Sequence, residues 1–105
     1  MSTSSPTARS LAALGHDARL GIFRLLVRAG HGGLTVGQIK DEQNLAASTL
    51  AHHLRTLVDA GLVMQEKQGR DVVNCVDYSA MNDLLAFLTA ECCTGVTLKQ
   101  TETAD

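Results

Sequence analysis

Aromatic side chains are scarce in this chain of 105 residues, which has no tryptophan, one tyrosine and two phenylalanines. A hydrophobic core must therefore be assembled mainly from Leu, Val, Ile and Ala, which favours helices packed on a small sheet. The overall balance of 45% hydrophobic and 19% charged residues is ordinary for a soluble globular protein. We expect one small domain from this length, which excludes a multidomain enzyme.

The sequence also lacks the long apolar segments of membrane and exported proteins. No apolar run approaches the roughly 18 to 20 residues that cross a bilayer. The polar segment Met1–Ser5 has neither the basic start nor the apolar middle of a signal peptide. Three cysteines, an odd number in a chain without an export signal, argue against a disulfide scaffold and for reduced thiols. We therefore expect a cytoplasmic protein with no membrane partner.

The net charge of −2 conceals an uneven distribution of charged residues. Residues 1–76 carry eight Lys/Arg and six Asp/Glu, whereas residues 77–105 carry Lys99 alone against five acidic residues. A sequence pI near 6 argues mildly against nucleic-acid binding. Clustering of basic residues on one face matters more than the total, so a nucleic-acid partner stays open.

Two helices are predicted before residue 30. The first begins at Arg9 and is interrupted at Gly15 and His16. The second follows Asp17, which we expect to be its N-cap, and its apolar residues recur at helical spacing until a glycine-rich breaker at residues 30–33. His16 and His31 lie beside glycines at helix ends, so we interpret them as loop or capping residues.

A helix-turn-helix is predicted next. Thr35 and Gln38 have the spacing of a capping box, which indicates a short helix to about Glu42. A longer helix covers Ala46–Ala60, and Gly61 is placed to end it. Two short helices separated by a few polar residues are typical of this motif.

After Gly61 the pattern changes to alternation. Leu62–Lys67 and Asp71–Tyr78 are predicted as strands of a β-hairpin, with residues 68–70 as the turn. Ser79 can cap a final helix, whose apolar stripe is Met81, Leu84, Leu85 and Leu88. The order α-α-α-α-β-β-α predicts a mainly α fold with a β-hairpin (α+β), a winged helix-turn-helix over residues 9–95. We expect a disordered tail at residues 1–8 and a flexible one at 96–105.

The helix over residues 46–60 has one polar face. At about 100° per residue its core face is centred between Leu50 and Leu54. The polar residues turned the other way are Ser48, Thr49, His52, Arg55 and Thr56. Serine, threonine and histidine can hydrogen-bond base edges or phosphates, and arginine can make a bidentate contact with guanine. The same pattern also fits a solvated helix face, so both interpretations stay open.

Three segments together resemble the ArsR/SmtB family of bacterial metal-responsive repressors. These are LGHDARLGIFRLL at residues 14–26, STLAHHLRTL at 48–57, and Ala60–Val63 with Gly69–Arg70. The match covers roughly residues 11–88. The Ser-Thr-x-x-x-His-Leu core followed by Gly-Leu-Val resembles the family's recognition helix leading into its wing. The resemblance implies binding to operator DNA, with bases or phosphates near Ser48, Thr49, His52, His53 and Arg55.

Two of the candidate DNA-contacting residues have an alternative interpretation. His53 flanks the core face of its helix, so it either holds a phosphate or packs inside the protein. Arg70, carried outward by the hairpin turn, suits a phosphate or minor-groove contact, or is simply an exposed arginine.

Members of the resembled family differ in where their inducers bind. A Cys-x-Cys arsenic site on the first helix of the helix-turn-helix has no counterpart at residues 34–39, and residues 79–95 lack the histidine of the zinc-type site. Cys92 and Cys93 remain, and some members resembling this one carry such a pair for trivalent arsenic. Extending the last helix places Cys92 on its apolar stripe and Cys93 about 100° away. Unwinding at Gly95 could aim both sulfurs at one soft ion.

Cys75, on the second hairpin strand, is a possible third ligand. Arsenite is best satisfied by three thiolates, so Cys75 would contribute if the tail folds back or a partner subunit supplies it. Packing as a small apolar residue is the alternative. Methylarsenite needs only two sulfurs, because carbon occupies its third position.

The sequence thus predicts a homodimeric repressor that leaves double-stranded operator DNA when arsenite, methylarsenite or antimonite binds Cys92 and Cys93. Dimerisation would cover the apolar stripe of the last helix with Leu11 and Leu14, and would space two recognition helices about 34 to 36 Å apart. No cofactor is required, and we expect no enzyme activity, because no nucleophile–base pair or phosphate loop is present. Two alternatives stay open: a thiol-redox or reactive-sulfur switch at the same pair, and a protein-interaction module without an operator.

Overall fold

The computed structural model of the protein describes residues 5–99, which form five α-helices and a three-stranded antiparallel sheet. The helices are α1 (Pro6–Leu14), α2 (Asp17–Ala29), α3 (Val36–Gln43), α4 (Ala47–Asp59) and α5 (Tyr78–Thr89). The strands are β1 (Leu34–Thr35), β2 (Val63–Gln68) and β3 (Asp71–Val76), and a 3-10 turn at Gly30–Gly32 joins α2 to β1. This order confirms the predicted winged helix-turn-helix.

The first two helices begin at residues other than those predicted. Ser5 caps α1 by accepting from the amide of Ala8 at 3.1 Å, and Pro6 suits the first helical position. The predicted start at Arg9 is therefore wrong, as is disorder over residues 6–8; residues 1–4 lie outside the described part. His16, as expected of a capping residue, caps α2 through Nδ1, which accepts from Ala18 at 3.2 Å. Asp17 is the first helical residue rather than the N-cap.

The helix-turn-helix forms as its capping residues predict. Thr35 Oγ1 accepts from the amide of Gln38 at 3.2 Å, and Gln38 Oε1 accepts from the amide of Thr35 at 2.9 Å, so the capping box is confirmed. Asn44, in the left-handed region with φ of 52°, ends α3 and turns the chain into α4. These local bonds fix the angle at which α4 leaves the turn.

The sheet has one strand more than the sequence predicts. β2 and β3 pair as a hairpin around a two-residue turn at Gly69–Arg70, and β1 pairs with the other edge of β3. Gly33 allows this approach, because its φ is 69° and a Cβ there would collide with the carbonyl oxygen of Asn74. A strand of two residues is too short to show alternation, so the pattern could not reveal it.

Asn74 is a buried polar residue that links the three strands. Its Oδ1 accepts from Gln65 Nε2 on β2 at 2.8 Å, and its Nδ2 donates to the carbonyl of Leu34 on β1 at 3.3 Å. A fully buried amide must find such partners, because an unpaired one would cost free energy. The wing is therefore fixed to the body of the domain at its base.

The core lies between α2, α4 and the sheet, and α5 closes it from the side. Its fully buried residues are Ile22, Leu26, Ile39, Leu50, Leu57, Leu62 and Val76. Asp77, rather than Ser79, caps α5: its Oδ1 accepts from the amide of Ala80 at 3.0 Å. Residues 96–99 have no regular secondary structure, and 100–105 of the predicted tail lie outside the described part. No helix in residues 5–99 is long and apolar enough to span a bilayer.

Candidate DNA-binding surface and cysteine pair

The outer face of α4 is exposed and polar. Leu50, Leu54 and Leu57 are buried against the core, which fixes the rotation of the helix about its axis. The predicted contact residues that lie on its exposed surface are Ser48, Thr49, His52 and Arg55. The structure therefore brings four of the six predicted α4 residues to one accessible face.

Thr56 and His53, the other two, do not belong to that face. Thr56 is half-buried; its hydroxyl donates to the carbonyl of His52 at 3.2 Å, and it lines a cleft beside α1 with Arg9 and Asp59. His53 is only 6% exposed. This burial favours the alternative that His53 packs inside the protein over a contact with bases or phosphates. A DNA contact by Thr56 stays a prediction, because its hydroxyl donates within the helix and retains only its acceptor capacity.

His53 lies among other histidines rather than among the aliphatic side chains alone. The centroid of its ring is 4.9 Å from that of His16 at the start of α2 and 5.7 Å from that of His52. Its buried Nδ1 has no hydrogen-bond partner among the described residues. Burial lowers the pKa of His53, and the neighbouring His16, Arg19 and His52 lower it further. Sequence reasoning missed this cluster, because His16 and His53 are distant in the chain.

The tip of the wing carries charges of both signs. Gly69 adopts a φ of 63° and allows the tight turn, which leaves Arg70 exposed beside it. Lys67 on β2, which was not predicted from the sequence as a contact, is exposed as well, and so are the acidic residues Glu66 and Asp71. The two basic side chains lie beside the polar helix and can contact the phosphate backbone of a duplex.

The two vicinal cysteines lie beyond α5, on a segment that turns back sharply. The helix ends at Thr89, and Glu91 and Cys93 then take left-handed conformations with φ of 58° and 64°. The Sγ atoms of Cys92 and Cys93 consequently lie 3.0 Å apart, and both residues are exposed. The prediction that Cys92 continues the apolar stripe of α5 is wrong, because the helix stops before it.

The neighbouring sulfur influences the ionisation of Cys92. A hydrogen bond with Cys93 raises the pKa of the Cys92 thiol, and partial desolvation raises it further. A thiolate at Cys92 would lie beside a second sulfur rather than beside a cation. The Cys92 thiol is therefore held in its protonated form at neutral pH.

Cys75 is in a different part of the fold. It is half-buried on β3, with its Sγ 3.5 Å from the carbonyl oxygen of His31 and 3.4 Å from that of Val76. Within residues 5–99, no group of three or more His, Cys, Asp or Glu side chains is arranged to hold a metal ion. The structure therefore does not bring Cys75 to Cys92 and Cys93 within one chain.

Exposed apolar side chains remain on the two terminal helices. Leu84 of α5 is buried against its own chain, whereas Leu85 and Leu88 are each 53% exposed. Phe87 on α5 and Leu11 on α1 are exposed as well. We call Leu11, Leu85, Phe87 and Leu88 the terminal-helix patch. The predicted stripe thus has two parts, one for the core and one left uncovered in the isolated chain.

Comparisons with known proteins agree with this architecture. The sequence model of a family described as a helix-turn-helix domain matches residues 14–66, from the end of α1 into β2. A possible transcriptional regulator for arsenical resistance is 28% identical over 75% of this chain and 79% of its own, with a TM-score of 0.66. HlyU from Vibrio cholerae is 29% identical over 79% of this chain and 90% of its own, with a TM-score of 0.64.

A third structure shows the same fold at lower identity. The homodimeric winged helix-turn-helix DNA-binding domain of a Mycobacterium bovis protein is 24% identical over 85% of this chain and 87% of its own, with a TM-score of 0.67. A comparison with curated protein sequences gives no match. The family match, the wing and the recognition-helix sequence lead to one conclusion: the chain belongs to the helix-turn-helix domain family and is a winged-helix transcriptional regulator of the ArsR/SmtB type.

Proposed function

We propose that this protein is a cytoplasmic, homodimeric repressor that binds operator DNA through α4 and the wing and leaves it when a trivalent arsenical binds Cys92 and Cys93. The observation that carries the proposal is the 3.0 Å separation of the two sulfur atoms on an exposed segment directly after α5. The DNA-binding half depends on the exposed polar face of α4, and the inducer half depends on this pair.

The polar face of α4 suits the major groove of DNA. A groove about 12 Å wide admits one helix, and Arg55 is long enough to contact the O6 and N7 atoms of guanine from an exposed position. Ser48 and Thr49, in the first turn of α4, supply short hydroxyl groups near the place where a helix N-terminus meets a phosphate. Arg70 and Lys67 on the wing would then lie over the backbone and add affinity without reading sequence.

A second copy of the chain is the proposed occupant of the terminal-helix patch. Apolar side chains such as Leu88 and Phe87 gain free energy when a partner removes them from water. The Mycobacterium bovis domain is described as homodimeric, and its fold matches most of this chain. A twofold dimer would place two copies of α4 about 34 to 36 Å apart, the spacing of successive major grooves.

The cysteine pair has the chemistry of a trivalent arsenical site. Soft sulfur ligands select soft, thiophilic ions. With methylarsenite, each thiol replaces one hydroxyl on arsenic: an As–S bond forms, an As–O bond breaks, and the thiol proton leaves with the hydroxyl as water. No oxidant is needed, and the methyl group keeps the third position. Arsenite and antimonite would bind the same pair with a hydroxyl or a third sulfur in that position.

Ligand binding at the pair would act on the dimer through α5. Cys92 lies three residues after the last residue of α5, and Leu88 of the terminal-helix patch immediately precedes that residue. Closing a ring through arsenic would fix the turn after the helix and alter the end of the dimer seam. A coupling of about 1 to 3 kcal/mol, the typical range for allostery, would lower the affinity for DNA about 5- to 150-fold.

Thiol oxidation at the same pair is the alternative inducer chemistry. The raised pKa of Cys92 argues against it, because the thiolate is the reactive form. The mass of the intact protein distinguishes the two. We expect one arsenic adduct per chain with methylarsenite under reducing conditions, whereas an oxidation sensor would show no adduct and would lose two hydrogens on treatment with peroxide.

DNA binding itself is tested with a duplex selected from a random library by the purified protein. We expect the selected duplex to contain an inverted repeat and its affinity to fall steeply with salt, as phosphate contacts release counterions. A protein-interaction module would select no consensus and would show no salt-dependent binding to random duplex.

A further inference from the structure

His53 is a buried titratable side chain on the recognition helix that neither half of the proposed function uses. It is a residue of α4, and its ring packs against that of His16 at the start of α2. Only 6% of the residue is exposed, and Nδ1 has no hydrogen-bond partner among residues 5–99. A buried ring in this position supports the helix only while it is neutral, because burying an unpaired charge is costly.

The charged and titratable groups that face His53 would all oppose its protonation. From α2 these are His16, with ring centroids 4.9 Å apart, and Arg19; from α4 itself the group is His52, at 5.7 Å. The α1 helix contributes no such group but orients one, because the carbonyl of Ala13 accepts from Arg19 Nε at 2.8 Å. Asp59, further along α4, lines a cleft with Arg19 and Ala13 and is the nearby acidic residue on that side. A proton on His53 would be opposed by His16, Arg19 and His52.

We propose that His53 makes DNA binding by this protein sensitive to acid: protonation displaces the His53 ring from its place between α4 and α2 and lowers the affinity for the operator. The ring moves because an imidazolium is stable in water and not in this site. The surface of α4 that faces α2 then loses its packing, and the groove-facing residues lose their fixed orientation. The proton thus acts as a second inducer, distinct in place and chemistry from a ligand at Cys92 and Cys93.

The direction of the pH dependence follows from the lowered pKa of His53. The neutral ring stabilises the native packing above the ordinary histidine pKa of about 6.5, and this contribution is lost as the pH falls towards the lower native value.

The test compares operator affinity at about pH 7.5 and pH 5.5 at constant ionic strength, in the wild type, His53→Leu, His53→Gln and His52→Gln. This inference rests on the DNA-binding half of the proposed function and not on the cysteine pair. We expect the wild type to lose at least about fivefold in affinity at the lower pH, the lower end of typical allosteric couplings. We expect both His53 variants to lose less than half as much, and His52→Gln, the control for loss of a histidine from the same helix, to lose about as much as the wild type. Equal pH profiles for the wild type and the His53 variants would overturn the proposal.

A second measurement keeps the proposal testable if a His53 variant does not fold or no operator is selected. The four histidine rings of the wild-type protein can be titrated by NMR without DNA. We expect the ring of His53 to titrate below the ordinary histidine pKa of about 6.5 and the amides of α4 to exchange faster as it titrates. A midpoint for His53 at or above this ordinary pKa, or no change in α4, would contradict the proposal, whereas failure to bind any duplex would instead contradict the DNA-binding half.

Discussion

The sulfur atoms of Cys92 and Cys93 lie 3.0 Å apart, although adjacent residues of a continuous helix point about 100° from each other. The difference arises because α5 ends at Thr89 and Cys93 takes a left-handed conformation. If each sulfur made a bond of about 2.3 Å, the length of a zinc–thiolate bond, one ion could bind both without moving them far apart. The pairing is therefore a consequence of where the helix ends.

Methylarsenite binding should be nearly independent of pH. The neighbouring sulfur raises the pKa of Cys92, so this thiol holds its proton at neutral pH, and the exchange of a thiol with an arsenic hydroxyl releases water rather than a proton. We expect dissociation constants equal within about twofold between pH 6 and pH 8, whereas zinc, which requires thiolates, should bind more tightly as the pH rises. Isothermal titration calorimetry in two buffers of different ionisation enthalpy measures the dissociation constant and the number of protons released on binding. A tenfold gain in methylarsenite affinity per pH unit would show that protons are displaced and would contradict this chemistry.

Arg55 and Arg70 should contribute to DNA binding in different ways. Arg55 is exposed on the groove face of α4, so Arg55→Ala should cost roughly 1 to 3 kcal/mol on the selected operator and relax the preference at one base pair. Arg70 is at the wing tip, so Arg70→Ala should weaken binding to every duplex equally and reduce the slope of log affinity against log salt by about one.

Lys99→Ala is the matched control for these two variants, because it removes one positive charge from the segment after α5. It should leave both the sequence preference and the salt slope unchanged. Anisotropy titrations on operator and random duplex measure all three variants. An equal loss on both duplexes for Arg55→Ala would exclude base reading by this residue.

Leu88→Glu should convert the dimer into monomers. Leu88 is 53% exposed in the terminal-helix patch, so a carboxylate there would be buried without a partner when two copies associate. Sedimentation velocity should give the mass of one chain, with weak operator binding. Met64→Glu is the control, since Met64 is 52% exposed on β2 of the wing and its variant should remain dimeric. An intact dimer in Leu88→Glu would place the interface elsewhere.

Gly33→Ala should destabilise the fold more than a substitution at the neighbouring glycine. A Cβ at Gly33 would meet the carbonyl oxygen of Asn74, and its φ of 69° is unfavourable for alanine, so we expect a loss of roughly 1 to 3 kcal/mol in the free energy of unfolding. A Cβ at Gly32 would meet no atom within 4 Å, so Gly32→Ala should change the free energy of unfolding by less than about 0.5 kcal/mol. Urea unfolding measures both, and equal values would show that β1 does not need the close approach.

Elements with a local signal could be predicted from the sequence, and those that depend on distant contacts could not. The capping box of Thr35 and Gln38 gave the start of α3 correctly, because both bonds lie within four residues. The strand β1 was missed, because two residues carry no period and only the pairing with β3 defines it. Asp77 and Ser79 are both suitable N-cap residues for α5, and the local sequence pattern alone does not show that Asp77 is the one used.

The candidate sites show the same division. The groove-facing position of Arg55 follows from the helical period and the buried Leu54, so the sequence was sufficient for it. The burial of His53 depends on the approach of α2, which brings His16 to its ring across 37 positions of the chain. The end of α5 before Cys92 likewise depends on the backbone conformations of residues 90–93, which the apolar pattern of the sequence does not predict.

Cys75→Ser tests whether Cys75 of a partner subunit supplies a third sulfur ligand for arsenite. Cys75 is half-buried and directed at backbone carbonyls of its own chain, so we expect its loss to leave the response to both inducers within about threefold of the wild type. Release titrations of the operator complex with each compound provide the comparison. A much greater loss for arsenite than for methylarsenite would instead identify Cys75 as its third ligand.

The most direct test of the account is the release of operator DNA by methylarsenite from the wild type and from a variant carrying both Cys92→Ser and Cys93→Ser. Serine keeps the size of each side chain but removes the soft sulfur ligand. The account predicts that both proteins bind the operator equally in the absence of arsenic, that methylarsenite releases the wild type at one equivalent per chain, and that the variant stays bound. Release of the variant at the same concentration as the wild type would contradict the central claim that these two thiols are the inducer site.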